Sequence, residues 1–214
     1  MQGKIYNRCL VSTLHGGHTS LDSGNAAVRV FFTDFTKEFD LIDHNILVKK
    51  REKLNISTIL IKWIIAFLTN RKQRVKISGV FKLGIPKWWN PQGTKLAPIL
   101  FAIMVNDLVK NWPGRTKYVD DLAAIEIIPR NSISITDLVA REIQQYSIEH
   151  RMKLNPKKCK EMWINFMSNP NIVRRDIVVN GLHIENVDSY KLPGADLGYC
   201  NCCTCKSQNL QRKL

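Results

Sequence analysis

Three aspartates have the type and spacing to do chemistry together. Asp120 and Asp121 are adjacent after Tyr118-Val119 at a predicted strand turn, and Asp34 ends an apolar stretch far upstream. Two unit negative charges about 4 Å apart repel by roughly 4 kcal/mol at an effective dielectric of about 20. A fold that brings the three carboxylates together therefore needs a counter-ion, and hard divalent cations prefer oxygen ligands. Two such ions about 3.5–4 Å apart support in-line phosphoryl displacement, so the pattern predicts two-metal phosphoryl chemistry.

Each of these residues also has an ordinary structural interpretation. Asp34 alone is compatible with an edge-strand aspartate that caps a turn. Asp120 and Asp121 alone are compatible with the solvated tip of a hairpin. Taken one at a time, those interpretations are favoured, and the metal interpretation needs further motifs.

The segments that must position the aspartates alternate between strand and helix patterns, which predicts an α+β domain. Asn180-Gly181 is the strongest hairpin signal, because both residues tolerate the positive φ of a type I′ turn. The predicted elements are a buried strand at 27–34, helices at 44–54 and 57–68, a hairpin at 74–83, a buried helix at 96–109, two strands within 117–127, a helix at 134–150, a strand at 162–166 and a hairpin at 177–184.

Composition limits the partners. The 214 residues are enough for one sizeable domain, and 32 Lys+Arg against 18 Asp+Glu give a net charge of +14. A basic excess of this size fits a polyanionic partner or a merely soluble basic protein, and charge alone leaves both open. No apolar run reaches the roughly 18 residues of a transmembrane helix, and the first ten residues lack a secretory core. We therefore expect no membrane partner and no targeting segment.

The cysteines are unevenly distributed. Four of the six, Cys200, Cys202, Cys203 and Cys205, crowd into the last fifteen residues. Their Cys-x-Cys-Cys-x-Cys spacing lacks the paired Cys-x-x-Cys of zinc knuckles and ribbons. The pattern favours a disordered polar tail at 198–214 over a thiolate metal site.

Five segments, in order, resemble the motifs of reverse transcriptases from non-LTR (LINE/jockey-like) retrotransposons. Residues 32–40 with Asp43-His44-Asn45-Ile46-Leu47 resemble the first palm motif, and Tyr118-Val119-Asp120-Asp121 resembles the third. The second, fourth and primer-grip motifs are matched by 90–101, 154–160 and 187–194. The resemblance departs at Trp89-Asn90, where the family usually has Gly-Val before Pro-Gln-Gly, and at Pro193, where it has an aliphatic residue.

The resemblance implies a particular organisation. It implies an α+β reverse-transcriptase palm, an antiparallel sheet backed by helices, with partial fingers and without a thumb. The expected parts are a fingers remnant at 1–26, the palm at 27–184, a primer-grip-like segment at 185–197 and the Cys-rich tail at 198–214.

The resemblance also assigns the chemistry. Asp34 and Asp120, with Asp121 beside them, are the residues it implies as ligands of two Mg²⁺ ions, with Mn²⁺ as an alternative ion. Lys158, or its neighbour Lys157, is implied to protonate the leaving pyrophosphate as a general acid. A solvated lysine run is the alternative for the two lysines.

Four residues are implied to bind the incoming nucleotide and its template partner. Phe39, with Phe35 nearby, is where the family sets a ring against the nucleotide sugar, which would exclude a 2′-hydroxyl; a core phenylalanine is the alternative. Gln92 and Gly93 are implied to lie beside the templating base pair, where glycine permits close backbone approach. A plain Pro-Gln-Gly turn is the alternative for this segment.

Two basic residues are implied to contact nucleic-acid backbone. Arg74 belongs to a basic, alternating strand that could face a duplex, and Lys191 lies in the primer-grip segment. A solvated strand face and a surface lysine are the respective alternatives.

The function that follows is RNA-directed DNA polymerisation, with RNA template, DNA primer and dNTP as partners. Protein partners are not indicated. A location in the nucleus or cytoplasm follows from the resemblance only. One alternative is a non-catalytic nucleic-acid-binding remnant of a retrotransposon. A two-metal nuclease would use the same carboxylates but would not explain Phe39 or Gln92-Gly93.

Overall fold

The computed structural model describes residues 26–36, 46, 49–50, 56–68, 73–77, 80–84, 96–118, 121–165, 167, 171–192 and 195–198. The chain divides into two compact units. The first comprises Met1–Asp34, Val109–Gln145 and Leu154–Leu214, and the second comprises Phe35–Leu108 and Tyr146–Lys153. No helix among the described residues combines the length and apolar character needed to cross a membrane.

Three helices and eleven strands are described. They are β1 (Ala26–Thr33), α1 (Thr58–Leu68), β2 (Gln73–Ile77), β3 (Val80–Gly84), α2 (Leu96–Met104), β4 (Arg115–Tyr118), β5 (Asp121–Pro129), α3 (Thr136–Glu149), β6 (Lys160–Asn165), β7 (Val178–Val179), β8 (Leu182–His183), β9 (Glu185–Asn186), β10 (Ser189–Leu192) and β11 (Ala195–Gly198). Ile46, Lys49 and Lys50 are also helical, whereas the rest of the helix predicted at 44–54 lies outside the described residues.

The first unit is built on a five-stranded sheet of order β4-β5-β1-β6-β9. β1 is antiparallel to β5 and β6, while β6 and β9 form a short parallel pair. All eight residues of β1 are buried, so both of its faces are covered. That burial explains why its sequence reads as an almost unbroken apolar run rather than as alternating apolar and polar residues.

The second unit contains α1, the β2–β3 hairpin, α2 and the end of α3. Its core includes the edge-to-face pair of Phe35 and Phe101, whose ring centroids are 5.8 Å apart. Buried Lys50 is held by the Met104 carbonyl oxygen at 2.6 Å, the Asp107 carboxylate and the Tyr146 hydroxyl. Burial raises the pKa of Asp107, but hydrogen bonds from Lys50 and Tyr146 outweigh burial and lower this pKa to about 2.

The predicted α+β class is confirmed, and most predicted elements are present with shifted ends. The apolar helix predicted at 96–109 ends at Met104, followed by turns in which Asn106 N donates to Ile103 O and Val109 has a φ of 42°. The Asp107 side chain, engaged by Lys50 and Tyr146, lies in that turn region. A tertiary contact and the weak helix propensity of Asn and Asp therefore end the helix early.

The Asn-Gly turn forms as predicted. Asn180 has a φ of 51° and Gly181 a φ of 78°, the positive values of a type I′ turn, between the two-residue strands β7 and β8. The helix predicted at 134–150 spans only Thr136–Glu149. Just before it, the Ser134 amide donates to the Val173 carbonyl oxygen and the Ile135 amide donates to Glu126, each at 2.9 Å. Ser134 donates its hydroxyl to Glu126 at 2.7 Å.

A buried arginine joins three parts of the first unit. Arg29, in the middle of β1, is 1% exposed, and its Nε donates to Glu161 Oε1 of β6 at 3.0 Å. Its two other nitrogens donate to Ser134 Oγ at 2.9 Å and to the Arg175 carbonyl oxygen at 2.7 Å. The guanidinium therefore has hydrogen-bond acceptors on every side, as a buried charge requires.

The same network ends at the N-terminus of α3. Glu126 of β5, whose Cα is paired with that of Arg29, accepts hydrogen bonds from the backbone amides of Ile135 and Thr136 at 2.9 and 3.1 Å. A carboxylate at this end of a helix satisfies amides that have no intrahelical acceptor and complements the helix dipole.

We expect Arg29→Met to lower the free energy of unfolding by about 3 kcal/mol or more, because it leaves Glu161 buried without its closest cation. Urea unfolding followed by circular dichroism measures the change. The double variant Arg29→Met, Glu161→Met should regain most of the loss. Arg141→Gln, which removes the exposed partner of an i,i+4 pair with Asp137, should cost no more than about 1 kcal/mol. Equal losses for Arg29→Met and Arg141→Gln would contradict this account.

Candidate active site

Asp34 directly follows β1, and its backbone is held on both sides. Asn155 N donates to the Asp34 carbonyl oxygen at 2.8 Å, while Asp34 N donates to Cys159 Sγ at 3.5 Å. The segment between these partners is a tight turn in which Lys158 N and Cys159 N both donate to the Asn155 carbonyl oxygen at 3.0 Å. The turn at 155–159, within the segment that resembles the fourth motif, thus fixes the main chain of Asp34 in the segment that resembles the first.

The side chain of Asp34 is 23% exposed and faces a lysine from the same turn. Lys158 Nζ lies 3.5 Å from Asp34 Oδ2, and the lysine side chain is 67% exposed. An exposed pair of this kind contributes about 0–1 kcal/mol, so the ammonium can leave its partner at little cost. Lys158, predicted as an acid, is therefore beside one predicted metal ligand.

Asp121 is the first residue of β5. Its Cα is paired with that of Tyr118, and the next residue of β5, Leu122, is paired with Thr33 of β1. Asp34 follows Thr33 and Asp121 precedes Leu122. The antiparallel register therefore sets the two aspartates at neighbouring positions where the two strands lie side by side. Two of the three predicted carboxylates, Asp34 and Asp121, therefore lie at the same end of the sheet.

Tyr190 of β10 lies near the same end of the sheet, close to the end of β1. Its ring stacks on buried Phe32 with centroids 4.0 Å apart and an angle of 9° between the planes. Burial foremost, and then the charges of Asp121 and Asp34, raise the pKa of Tyr190 to about 12. The phenol therefore stays neutral at physiological pH, beside two carboxylates that both act on it.

The sequence prediction missed Tyr190. The residue lies within 187–194, the segment that resembles the primer grip, but only Lys191 of that segment was singled out. An aromatic residue beside a predicted backbone-binding lysine was the available signal. Its stacking on Phe32 depends on the pairing of distant strands, which local patterns do not reveal.

Cys159 supports Asp34 from the interior. The side chain is fully buried, and burial, as the largest cause, raises the pKa of its thiol to about 11. The negative charge of Asp34 acts in the same direction. A buried neutral thiol of this kind packs as a small apolar group and is a weak nucleophile.

The other predicted site residues are described in part or not at all. Phe35 is 2% exposed and packs on Phe101, so a contact of its ring with substrate stays a prediction. Arg74 lies in β2 and Lys191 in β10, where strand pairing is described but their side chains are not. The residues outside the described part of the chain are Asp120, Phe39, Gln92 and Gly93.

Two of the three predicted metal ligands, Asp34 and Asp121, lie in the described part of the chain. Within the described ranges, no three His, Cys, Asp or Glu side chains are grouped so that they could hold an ion. Asp120, the third predicted ligand, is outside those ranges. Asp34 and Asp121 nevertheless supply carboxylate oxygens, which suit a hard divalent cation, at neighbouring positions.

Comparison with known proteins shows the family of the chain. Residues 3–197 match the family described as reverse transcriptase (RNA-dependent DNA polymerase). The chain therefore belongs to the reverse transcriptase family. No match is found among curated proteins.

Two solved telomerase structures from Candida tropicalis are similar in fold. For the apo telomerase truncated from the C-terminal domain, the TM-score is 0.59 and the identity 14%, over 92% of this chain and 38% of that one. For the telomerase in complex with a TWJ fragment of telomeric RNA, the TM-score is 0.62 and the identity 14%, over 91% of this chain and 32% of that one. The chain thus spans about a third of their length, and the low identity supports a shared fold only.

We expect Cys159 to resist alkylation in the folded protein. A pKa near 11 instead of 9.0 lowers the thiolate fraction at pH 8 by about a hundredfold, and burial slows access further. Mass spectrometry after timed iodoacetamide treatment, with and without guanidinium chloride, measures the rate. Because the thiolate is the reactive form, labelling of Cys159 should accelerate as the pH rises towards 11, provided that the protein stays folded.

Cys9→Ser is the matched control, because it removes a thiol and leaves Cys159 in place. The slow-reacting thiol should persist in Cys9→Ser and disappear in Cys159→Ser. Labelling of Cys159 in the folded protein as fast as in guanidinium chloride would refute the buried, protonated thiol.

Proposed function

We propose that this chain is the polymerase part of a non-LTR retrotransposon reverse transcriptase, which adds deoxynucleotides to the 3′ end of a DNA primer on an RNA template. The observation that carries the proposal is the β1–β5 register, which brings Asp34 and Asp121 to neighbouring positions. Membership of the reverse transcriptase family supports the reaction class. The resemblance of five segments to non-LTR motifs supports the retrotransposon origin.

Asp34, Asp120 and Asp121 would hold the divalent ions, Mg²⁺ or alternatively Mn²⁺. When bound, such ions activate the primer 3′-hydroxyl and stabilise the charge that develops on the phosphates. Carboxylate oxygens fit this role, and after burial, the largest cause, the charges of Asp121 and Asp34 contribute to the raised pKa of Tyr190. Cys159 and the Asn155 amide would keep Asp34 in position by fixing its backbone.

Lys158 would supply the proton for the leaving pyrophosphate. Its ammonium is 3.5 Å from Asp34 Oδ2 and exposed, so it can reach a phosphate bound beside this carboxylate. A positioned general acid contributes about 10²–10⁴-fold to rate. For substrate binding we propose Phe39, Gln92 and Gly93 at the nucleotide and template base, and Arg74 and Lys191 at the nucleic-acid backbone.

An RNA template is supported by two observations. The net charge of +14 favours a polyanion. One telomerase of similar fold was solved with a fragment of telomeric RNA, which shows RNA binding for that protein. Template, primer and dNTP as partners of this chain are part of the proposal.

Primer extension on an RNA template tests the proposed reaction. Wild-type protein with Mg²⁺ and dNTPs should extend a labelled DNA primer, and Asp34→Asn or Asp121→Asn should reduce extension by at least about a hundredfold, because each removes a charged metal ligand. Asp176→Asn is the matched control: this carboxylate is 80% exposed and pairs with His183, so its loss should change extension less than about twofold.

The same assay distinguishes an active polymerase from a non-catalytic nucleic-acid-binding remnant. Wild-type protein that binds the template–primer but does not extend it would favour the non-catalytic nucleic-acid-binding alternative. Equal extension by Asp34→Asn and wild type would remove the proposed metal site.

We also expect binding to an RNA–DNA hybrid that weakens steeply with salt, because phosphate contacts release counter-ions. Six or more such contacts predict a loss of about 10³-fold or more in affinity between about 50 and 200 mM salt. Fluorescence anisotropy of a labelled hybrid measures the slope. Affinity that does not change with salt would contradict a phosphate-dominated interface.

A further inference from the structure

A group of exposed aliphatic side chains lies beside the N-terminus of α3. Ile133, Ile135, Leu138 and Val173 are 59%, 42%, 47% and 55% exposed. Ile133 and Val173 are joined by an isolated parallel β-bridge, and Leu138 N donates to the Ile135 carbonyl oxygen at 2.9 Å. The four residues are therefore neighbours, and we call them the α3 patch.

The hydrogen bonds of Ser134 keep the α3 patch exposed. Ser134, between Ile133 and Ile135, is 1% exposed and gives its hydroxyl to Glu126 at 2.7 Å. Its amide donates to the Val173 carbonyl oxygen at 2.9 Å. Ser134 is thus directed inward, while Ile133 and Ile135 on either side of it are exposed to solvent. The exposure is thus imposed by specific bonds rather than by a loose surface loop.

Three arginines with large exposed surfaces adjoin this patch. The side chains of Arg141, Arg174 and Arg175 are 67%, 45% and 62% exposed. Their carboxylate partners lie inside: Asp137, 2% exposed, is within 3.6 Å of Arg141 and 3.9 Å of Arg175, and Glu161, 7% exposed, is 3.9 Å from Arg174. The three guanidinium groups are therefore at the surface, while the carboxylates that they pair with are buried.

We propose that the α3 patch is a docking surface for an acidic, amphipathic segment of a partner protein. Exposed apolar groups with a charged rim are typical of protein–protein interfaces. The aliphatic centre would bury leucine-like side chains, and the arginines would pair with acidic side chains around them. The proposal does not depend on the proposed polymerase function.

The chemistry of the centre favours a protein over a nucleic acid. A nucleic-acid strand would need aromatic rings for base stacking or donors for phosphates, and the four central side chains offer neither. The nearby Trp163 ring is covered by the Arg174 guanidinium at 5.3 Å from its centroid. Burying aliphatic surface against phosphates would leave both poorly solvated.

The test uses the full chain and a designed probe. A fluorescein-labelled helical peptide of about 15 residues carries Leu at i, i+3, i+4 and i+7 and Glu elsewhere, and anisotropy measures its affinity. Ile133→Ser with Leu138→Ser should weaken binding at least about tenfold, because two apolar contacts are lost. Arg174→Gln, which leaves Glu161 paired with Arg29, should reduce the salt dependence of binding.

A matched control and a charge-reversal variant keep the proposal falsifiable. Ile59→Ser removes an isoleucine that is 80% exposed on α1 and should not change the affinity. Leu138→Glu should repel the acidic peptide and bind a version with Lys in place of Glu more tightly than wild type does. Circular dichroism of each variant verifies the fold.

Several outcomes would overturn the proposal. Failure of wild-type protein to bind the acidic peptide would do so, as would equal binding of the acidic and basic peptides. Equal losses from Ile59→Ser and the double serine variant would show that the patch has no special role. Loss of RNA–DNA hybrid binding in the double serine variant, with peptide binding unchanged, would assign the surface to nucleic acid instead.

Discussion

The buried pairing of Arg29 with Glu161 is the constraint on which the first unit depends. Arg29 lies in the central strand, and its three donors reach β6, the segment before α3 and the carbonyl oxygen of Arg175. A one-residue slip of β1 would turn this guanidinium to the opposite face of the sheet, away from all of its acceptors. The cost of an uncompensated buried charge therefore fixes the register of β1 against its neighbours.

That register has a direct chemical consequence at the end of β1. Side chains alternate along a strand, so Arg29 and Asp34, five residues apart, point towards opposite faces. The carboxylate lies roughly 16 Å along the strand from the guanidinium, at about 3.3 Å per residue. It faces the side where Phe32 stacks on Tyr190. The same pairing of Thr33 with Leu122 brings Asp121 alongside. A structural ion pair on one face and an acidic site on the other are thus two results of one alignment.

The fold is similar to that of two telomerases at 14% identity, so most residues at matched positions differ. In this chain the central strand is fully buried, and the carboxylate at its end is held through main-chain bonds. Contacts through the backbone, such as Asn155 N to Asp34 O, tolerate substitution because they do not depend on side-chain identity. The α3 patch, by contrast, is built from side chains.

The sequence by itself determined the elements whose signals are local. The apolar run of β1, the Asn180-Gly181 turn and the order of the motifs were all predictable, because hydrophobic period and turn chemistry act over a few residues. The tertiary structure contributed to where α2 ends, since Asp107 bonds Lys50, 57 residues away in sequence. It also decided that Tyr190 joins the site and that Arg29 finds Glu161, 132 residues on. These depend on which distant strands pair and in which register, and that is set by the burial of charge and apolar surface across the whole unit.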